Sequence, residues 1–228
     1  MMFVTFDSEF LARGPAISLP RTSALARPAV IRLRPGQILY HQGDEAQTIF
    51  RVTEGVLRLT RVTEKGHQQV VGFGYPRDIV GFPVHGMRST DCDALTSASL
   101  IAVAARLPDQ ESGGASDAAF LAAAALWEIG AMQDHLMTLG RKSSRERVAS
   151  FLVVLMARAG WQAPDGVHVE LPMSRADIAD FLGIRTETVS RAFTDLRRAG
   201  LIRLPTAQHV TIVRPEALAE VAEADTDT

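Results

Sequence analysis

Short apolar runs separated by regularly spaced glycines fill residues 28–107. Between glycines at positions 36, 43, 55, 66, 74, 81 and 86 lie β-prone runs such as "IFRVT", "VLRLTRVT" and "QQVVGF". Several of these runs alternate in polarity, as a strand with one buried face does. Short strands between evenly spaced turns predict a β-sandwich or a jelly-roll barrel.

A long and strongly apolar helical segment follows a linker-like stretch at 108–116, "PDQESGGAS". The helix is predicted from about Asp117 to Leu139, with Gly140 ending it, and its length is then roughly 35 Å. An a/d-like spacing runs along it through Leu126, Ile129, Gln133 and Leu136. A helix this long and apolar predicts packing against a dimer partner. The alternative is a helix that covers its own domain.

The C-terminal third of the chain begins with a capping box. Ser143-x-x-Glu146 opens the helix "SSRERVASFLVVLMARAG", because each of these side chains can satisfy a free backbone N–H of the first turn. Residues 201–213 predict a small hairpin with its turn at 205–208, and Pro215 opens a terminal helix. These elements predict a small C-terminal module of helices and one hairpin.

Two short helices joined at Gly183 have the pattern of a helix-turn-helix. The first begins at the capping pattern Ser174-x-x-Asp177, and Gly183 can take the positive φ that turns the chain. Apolar residues at helical spacing give both helices an inward face: Ile178, Ala179 and Leu182 in the first, and Val189, Ala192, Phe193 and Leu196 in the second.

The second helix keeps one polar face near its N-terminus, formed by Thr186, Glu187, Ser190 and Arg191. An arginine can donate two hydrogen bonds to the O6 and N7 of guanine, and a glutamate can accept from the N4 amino group of cytosine. The first turns of a recognition helix present such base-reading residues. Phosphate contacts are predicted for three neighbouring residues, Ser174, Arg175 and Thr188. The pattern predicts double-stranded DNA as a partner, against the alternative of a helical subdomain with incidental surface charge.

The charge distribution agrees with a nucleic-acid module at this end. Residues 171–214 carry seven arginines against four acidic residues, a net charge of +3, whereas residues 215–228 carry five acidic residues and no basic one. The whole chain has a formal charge of only −2. A short basic segment beside an acidic tail is typical of a small nucleic-acid-binding module.

Cysteine content excludes several classes of site. The one cysteine, Cys92, rules out an intramolecular disulfide, a four-cysteine zinc site and an all-cysteine iron–sulfur cluster within one chain. Because carboxylates disfavour a nearby thiolate, Asp91 and Asp93 predict a raised pKa for Cys92 and a structural rather than redox role.

Several other sequence motifs are absent. The N-terminal residues lack the apolar run of an export signal, and no apolar stretch reaches the ~20 residues needed to span a bilayer. We therefore expect a cytoplasmic protein without a membrane partner. No P-loop, G-x-S-x-G or H-E-x-x-H motif is present, so we predict no catalytic residues and no enzyme activity.

Several segments of the chain resemble a known family. The segment "MSRADIADFLGIRTETVSRAFTDLRRAGLI" resembles the winged helix-turn-helix of the CRP/FNR transcription regulators, and "ETVSR" is its most specific part. "RLRPGQILYHQGDEAQTIFRVTEGVLRLTRV" resembles the start of that family's cyclic-nucleotide-binding-type β-roll, "GFGYPRDIVGF" its next hairpin, and "SSRERVASFL" the helix after the dimerisation helix. The resemblance covers roughly residues 28–213.

This resemblance implies an α+β protein whose parts follow one another along the chain. We expect an N-terminal arm at 1–27, a jelly-roll sensor-type domain at 28–112, a linker and dimerisation helix at 113–140, a winged helix-turn-helix at 141–214, and an acidic tail at 215–228. The family further implies a homodimer that binds a palindrome and contacts RNA polymerase.

The reading helix resembles the FNR-like branch. Glu187 and Arg191 match the family's main base-reading pair, Ser190 matches the serine of the FNR-like branch, and Thr186 falls on a more variable reading position. This combination is similar to proteins that bind TTGAT-N4-ATCAA-like sites.

The sensor departs from the relatives that bind ligands. A cyclic-AMP site in the family has a glutamate after the D-I-V-G turn and an Arg-Ser pair for the phosphate. Here Phe82 follows the turn and only Arg88-Ser89 remains, so we interpret Phe82, Arg88 and Ser89 as a vestigial effector pocket. We predict no cofactor and no metal. Haem stays open, with His41, His67, His85, Met87 and Cys92 as candidate ligands.

With an FNR-type reading helix and a single cysteine, the chain resembles the FixK-like branch, which has an FNR-type reader without the cysteine cluster. That resemblance implies an effector-independent activator of low-oxygen, nitrogen-oxide or nitrogen-fixation genes. The first alternative is a ligand-gated regulator of the same family, with haem, nitric oxide bound through haem, or an organic effector in the β-roll. A purely structural dimerising module is the second alternative.

Overall fold

A computed structural model describes residues 30–104 and 115–224 of the chain. The predicted N-terminal arm at 1–27 therefore lies outside the described residues, as do most of the predicted linker at 108–116 and the end of the acidic tail at 225–228.

Packing divides the described residues into two compact units, one ending at Gly130 and one beginning at Ala131. Short strands make up most of the first unit. They are β1 Val30–Leu33, β2 Ile38–Tyr40, β3 Thr48–Glu54, β4 Leu57–Val62, β5 Gln68–Gly74, β6 Ile79–Val80, β7 Pro83–Val84, β8 Met87–Arg88, β9 Asp91–Ala94 and β10 Ala98–Ala104.

These strands pair antiparallel in two four-stranded sheets, ordered β1-β10-β3-β6 and β2-β9-β4-β5, while β7 and β8 form a separate hairpin. Alternate residues of the two sheets are buried in one core that contains Leu33, Tyr40, Phe50, Val52, Leu57, Val80, Cys92, Ala94, Ala98 and Leu100. The predicted β-roll is confirmed, because regularly spaced turns and one buried face per strand let two sheets close on a shared core.

The long helix α1 spans Ala115–Arg141 and begins in the first unit. Its first half packs on the β-roll through Phe120 and Ala124, which share a buried cluster with Ile49, Ile79 and Val103. This cluster, which we call the helix seat, fixes α1 against strands from one sheet of the roll.

The predicted helix was too short at both ends, and Gly140 does not end it. The helix continues to Arg141, because its last carbonyls find a partner outside the helix. Arg147 Nη2 donates to the carbonyl of Leu139 at 2.7 Å, and Arg147 Nε donates to the carbonyl of Lys142 at 2.9 Å. With the C-terminal carbonyls satisfied in this way, a single glycine does not terminate the helix.

The second unit combines helices with a small sheet. Its elements are α2 Ser144–Ala159, β11 Trp161–Ala163, β12 Gly166–Glu170, α3 Arg175–Phe181, α4 Thr186–Arg198, β13 Ile202–Thr206, β14 His209–Ile212 and α5 Pro215–Glu223. Both predicted capping boxes are present, with Ser143 and Glu146 at the start of α2 and Ser174 and Asp177 at the start of α3.

The sheet of this unit is larger than predicted. Its order is β11-β12-β14-β13, so a second hairpin, β11–β12, accompanies the predicted one. The signal for it was the turn sequence "PDG" before the alternating "VHVE". The predicted turn at 205–208 is a two-residue turn at Ala207 and Gln208, and Pro205 lies in β13. β13 tolerates this proline because it is an edge strand with a register shift between Arg203 and Thr206.

Candidate nucleic-acid interface

The two helices α3 and α4 form a compact helix-turn-helix around Gly183. Its φ of +61° is the left-handed conformation that a glycine adopts without strain, and Ile184 N donates to the Ala179 carbonyl at 3.0 Å across the turn. The predicted inward face of α4 is confirmed, since Val189, Ala192, Phe193 and Leu196 are all buried. This burial fixes which side of α4 faces solvent.

The predicted reading residues Thr186, Glu187, Ser190 and Arg191 are all exposed on α4. Sequence reasoning missed the next two turns of the same face. Thr194, Asp195 and Arg198 continue it and line a shallow concavity together with Ser190 and Arg191. The signal was available, because these residues follow the reading residues at i+4 spacing.

Two hydroxyl groups on this face are bonded to their own helix. Ser190 Oγ donates to the Thr186 carbonyl at 3.1 Å, and Thr194 Oγ1 donates to the Ser190 carbonyl at 2.9 Å. A hydroxyl has one proton and two lone pairs. Both groups therefore present acceptor lone pairs outward while these internal bonds are kept.

The three predicted phosphate ligands differ in burial and in whether their polar groups already have partners. Ser174 Oγ is engaged in the cap of α3, where it accepts from Asp177 N at 3.0 Å and donates to Asp177 Oδ2 at 2.6 Å. Thr188 is half-buried. Arg175 carries its guanidinium 3.7 Å from the ring centroid of Phe193, and burial lowers the pKa of that arginine. The stacking holds Arg175 beside the buried side of α4.

A polar joint, also missed by sequence reasoning, connects the end of α1 to the helix-turn-helix within the second unit. Besides its bonds to the end of α1, Arg147 donates through Nη1 to the Leu182 carbonyl at 3.1 Å. The His135 ring stacks on Phe181 with centroids 4.2 Å apart, and burial lowers the pKa of this histidine. One guanidinium thus holds carbonyls from the last turns of two helices.

Comparison with known proteins assigns both units. The profile of the Crp-like helix-turn-helix domain matches residues 146–221, and that of the cyclic nucleotide-binding domain matches residues 30–106. The nitrogen fixation regulation protein FixK of Rhizobium meliloti is 39% identical over 189 residues, which cover 83% of this chain and 85% of the relative. The chain belongs to the CRP/FNR family of transcription regulators.

Other members of the CRP/FNR family agree with this assignment. The transcriptional activator protein FnrL of Cereibacter sphaeroides is 32% identical over 198 residues, covering 84% of this chain and 79% of the relative. The structure of FixK2 from Bradyrhizobium japonicum superposes with a TM-score of 0.77 and 27% identity, covering 88% of this chain and all of that one. The resemblance to FixK is confirmed, and so is the fold class. As a member of this family with its helix-turn-helix, the protein is a DNA-binding transcription regulator.

In this CRP/FNR chain, Arg88 of the predicted vestigial pocket points into the β-roll. Only 6% of the residue is exposed. Its Nη1 donates to the Gly81 carbonyl, and its Nη2 donates to the Thr48 carbonyl at 2.5 Å. The guanidinium carbon lies 4.4 Å from the ring centroid of Tyr40 and 5.1 Å from that of Phe50. Arg88 therefore directs Nη1, Nη2 and its planar face to groups inside the chain, while its buried Nε has no hydrogen-bond partner among the described residues.

Phe82 is partly buried. It packs against the helix seat, the buried cluster that holds α1 on the roll. Ser89 is half-buried beside Arg88. Among the three residues predicted to form a vestigial pocket, two thus serve the packing of the roll itself.

Cys92 is fully buried, at 0% exposure, on β9. Burial is the main cause that raises the pKa of its thiol to about 12, and the negative charge of Asp93 adds to it. The predicted direction is confirmed, but its predicted main cause, the flanking carboxylates, was wrong. An alternating strand places the two carboxylates on the opposite face from the thiol.

The candidate haem ligands lie in different environments. His41 is exposed with its Nδ1 3.4 Å from Asp91, His67 and His85 are exposed, and Met87 is 41% exposed. Within residues 30–104 and 115–224, no three histidine, cysteine, aspartate or glutamate side chains are arranged to bind a metal ion. In the same part of the chain, no helix has the length and hydropathy needed to cross a membrane.

Proposed function

We propose that this protein is a cytoplasmic, homodimeric transcription activator that binds a TTGAT-N4-ATCAA-like palindrome without a diffusible effector. The observation that carries the DNA-binding part is the exposure of Thr186, Glu187, Ser190 and Arg191 on one face of a helix whose opposite face is buried. A recognition helix must offer such a face to the major groove.

Each side chain of this face has a chemical role. Arg191 donates two hydrogen bonds to a guanine edge, and Glu187 accepts from a cytosine amino group. Ser190 offers an acceptor, since its proton is bonded to the helix. Ser174, Arg175 and Thr188 approach the phosphates, and the N-terminus of α3 favours an anion there. Thr186 contacts the neighbouring base step.

Dimerisation is supported by an exposed apolar stripe on α1. It consists of Leu126, Ile129, Met132, Leu136 and Met137, which are between 51% and 68% exposed. From Leu126 to Leu136 these large apolar side chains follow one another at spacings of three or four residues, and Met137 lies beside Leu136. Such spacing is typical of a coiled-coil seam. A second copy of the chain covers the stripe and presents the second reading helix to the other half-site.

The biological setting follows from the relatives. Names such as "nitrogen fixation regulation protein" and "transcriptional activator" belong to the proteins this chain is similar to. We assign this chain to the same kind of role, with control of low-oxygen, nitrogen-oxide or nitrogen-fixation genes through contact with RNA polymerase.

Effector independence is supported by the interior of the β-roll. Arg88, which resembles a phosphate ligand of the cyclic-AMP branch, donates hydrogen bonds to the carbonyls of Gly81 and Thr48 instead. Phe82 replaces the ribose-binding carboxylate and packs in the helix seat. The ligand-gated alternative requires a visible absorption band for haem, or a ligand-dependent gain of DNA affinity.

The DNA-binding test is a fluorescence-anisotropy titration of metal-stripped protein on the TTGAT-N4-ATCAA duplex and on a scrambled duplex, at one fixed salt concentration. We expect tight binding to the palindrome and at least about 10³-fold weaker binding to the scrambled duplex. Equal affinities for both duplexes contradict the proposed recognition. Binding that needs an added small molecule contradicts effector independence.

The dimer test uses sedimentation equilibrium on two variants of α1. Ile129→Glu places a charge in the exposed stripe, and we expect monomers because an unpaired charge in an apolar interface is costly. Ile129→Leu is the matched control, since it keeps an apolar side chain at the same place in the stripe, and we expect it to remain dimeric. A dimeric Ile129→Glu protein contradicts the proposed interface.

A further inference from the structure

The buried guanidinium of Arg88 is enclosed by groups of the β-roll. Two carbonyls accept from it, and two aromatic rings, Tyr40 and Phe50, flank it. Gly81, with a φ of +83°, leaves the space for this guanidinium, because a Cβ there would collide with Arg88 and stand 3.1 Å from the Tyr40 ring. Two carbonyl acceptors and two aromatic faces around a planar cation form a recognition site for a guanidinium, in which Nη1 and Nη2 are paired and the buried Nε has no hydrogen-bond partner among the described residues.

The two carbonyls connect this site to the long helix. Thr48 directly precedes Ile49, and Gly81 directly precedes Phe82. Ile49 and Phe82 both belong to the packing around the helix seat, which holds Phe120 of α1. By bridging the two carbonyls, Arg88 fixes the separation of the two backbone segments on which α1 rests.

We propose that the Arg88 guanidinium is a tethered effector, a covalently attached occupant that keeps the helix seat in its DNA-binding arrangement. This inference rests on the proposed effector-independent function and gives it a physical cause. It follows that removal of the side chain creates a ligand-gated protein. The ligand class of that vacated site is a small planar guanidinium or amidinium cation.

The test is chemical rescue of Arg88→Ala. We expect this variant to lose at least tenfold in affinity for the palindrome, and to regain it as millimolar methylguanidinium chloride is added, along a saturable curve. An engineered cavity can bind a molecule of the shape that was removed from it. Tetramethylammonium chloride at the same ionic strength is the salt control, and we expect no rescue from it.

Two further variants separate the site from general effects. Arg88→Met fills the space without supplying donors, so we expect it to bind DNA weakly and to gain nothing from methylguanidinium. Arg61→Ala removes an exposed arginine of the same unit, and we expect wild-type affinity with and without the ligand. Thermal unfolding of each variant, recorded with and without methylguanidinium, shows whether the ligand also restores the fold.

The outcomes separate this proposal from the proposed function. If the wild-type protein does not bind the palindrome without ligand, the proposed function fails first. If the wild type binds, the tethered effector is overturned by an Arg88→Ala or Arg88→Met protein that binds equally well. It is also overturned by a loss that methylguanidinium does not reverse, or by an Arg88→Ala protein that stays unfolded with the ligand. Folding or DNA binding of Arg88→Ala that depends on methylguanidinium supports it.

Discussion

Arg88 in the β-roll and Arg191 on the reading helix use the same side chain in opposite ways. Arg191 is exposed on α4, and its donors remain available for a partner outside the chain. Arg88 is 94% buried and gives its donors to carbonyls of its own unit. The difference shows that a guanidinium identifies a binding site only when its donors are left for another molecule.

Arg175 and Arg147 lie between these two extremes. Arg175 is half-buried and its guanidinium stacks on Phe193. Arg147 donates to the carbonyl of Leu139 in the last turn of α1 and to that of Leu182 directly after α3. The proposed function therefore divides the arginines of this chain into those that contact DNA and those that hold the chain's own backbone. Four predictions follow in order of expected size: three test that division, and one tests the buried thiol of Cys92.

The largest expected effect is on folding, for matched substitutions of the two arginines. We expect Arg88→Met to lower the free energy of unfolding by about 2–6 kcal/mol, since two buried carbonyls each lose a partner worth about 1–3 kcal/mol. We expect Arg191→Met to change it by less than about 0.5 kcal/mol, as exposed substitutions do. Urea unfolding measures both free energies. Similar losses for the two variants contradict the distinction between an internal Arg88 and an external Arg191.

The second effect is on DNA recognition. Arg191→Ala loses about 1–3 kcal/mol of binding per half-site and relaxes discrimination at the guanine it reads. Arg191→Lys is the matched control, because it keeps the charge but cannot form the bidentate pair. We expect its discrimination to fall nearly as far, in competition titrations with duplexes changed at single positions. Unchanged discrimination in both variants places the reading function elsewhere.

The third effect is an alkaline loss of stability caused by Cys92. Its folded-state pKa, about 12, lies above that of the unfolded chain, so the folded state holds the thiol proton more tightly. The resulting stability is complete below the unfolded pKa of ~8.5 and is lost above it at about 1.4 kcal/mol per pH unit. Urea unfolding between about pH 7.5 and 10 measures this slope.

Cys92→Ala is the control for this slope, and we expect a shallower loss from it over the same pH range. Burial also predicts that the native thiol resists iodoacetamide at pH 8, and that it reacts once the chain is unfolded in urea. Fast labelling of the folded protein contradicts the structural role of Cys92.

The smallest expected effect belongs to Arg175, whose contact is general rather than specific. Arg175→Ala weakens binding to all duplexes alike and reduces the slope of log affinity against log salt by about one. It also lowers stability by about 0.5–2 kcal/mol through lost stacking on Phe193. Arg175→Lys retains much of the salt slope. A loss of DNA affinity that depends on the duplex sequence indicates that Arg175 contacts bases and contradicts this prediction.

Local patterns predicted the elements whose causes are local. The capping boxes at Ser143 and Ser174 depend on residues three positions apart, and both are present. The inward face of α4 depends on helical periodicity, which is visible in the spacing of the apolar residues along the sequence. The β11–β12 hairpin was missed because β11 has only three residues, too few to show an alternating pattern that would pair with the one in β12.

Sequence by itself determined the family, the two-unit order along the chain and the exposed polar face of α4, because these follow from periodic burial and short-range motifs. Only the tertiary structure decided the direction of the long side chains. Arg88 reaches Thr48, 40 positions away, and Arg147 reaches Leu182, 35 positions away. An arginine stem has several rotatable bonds, and carbonyls from distant segments select its direction only after the chain has folded.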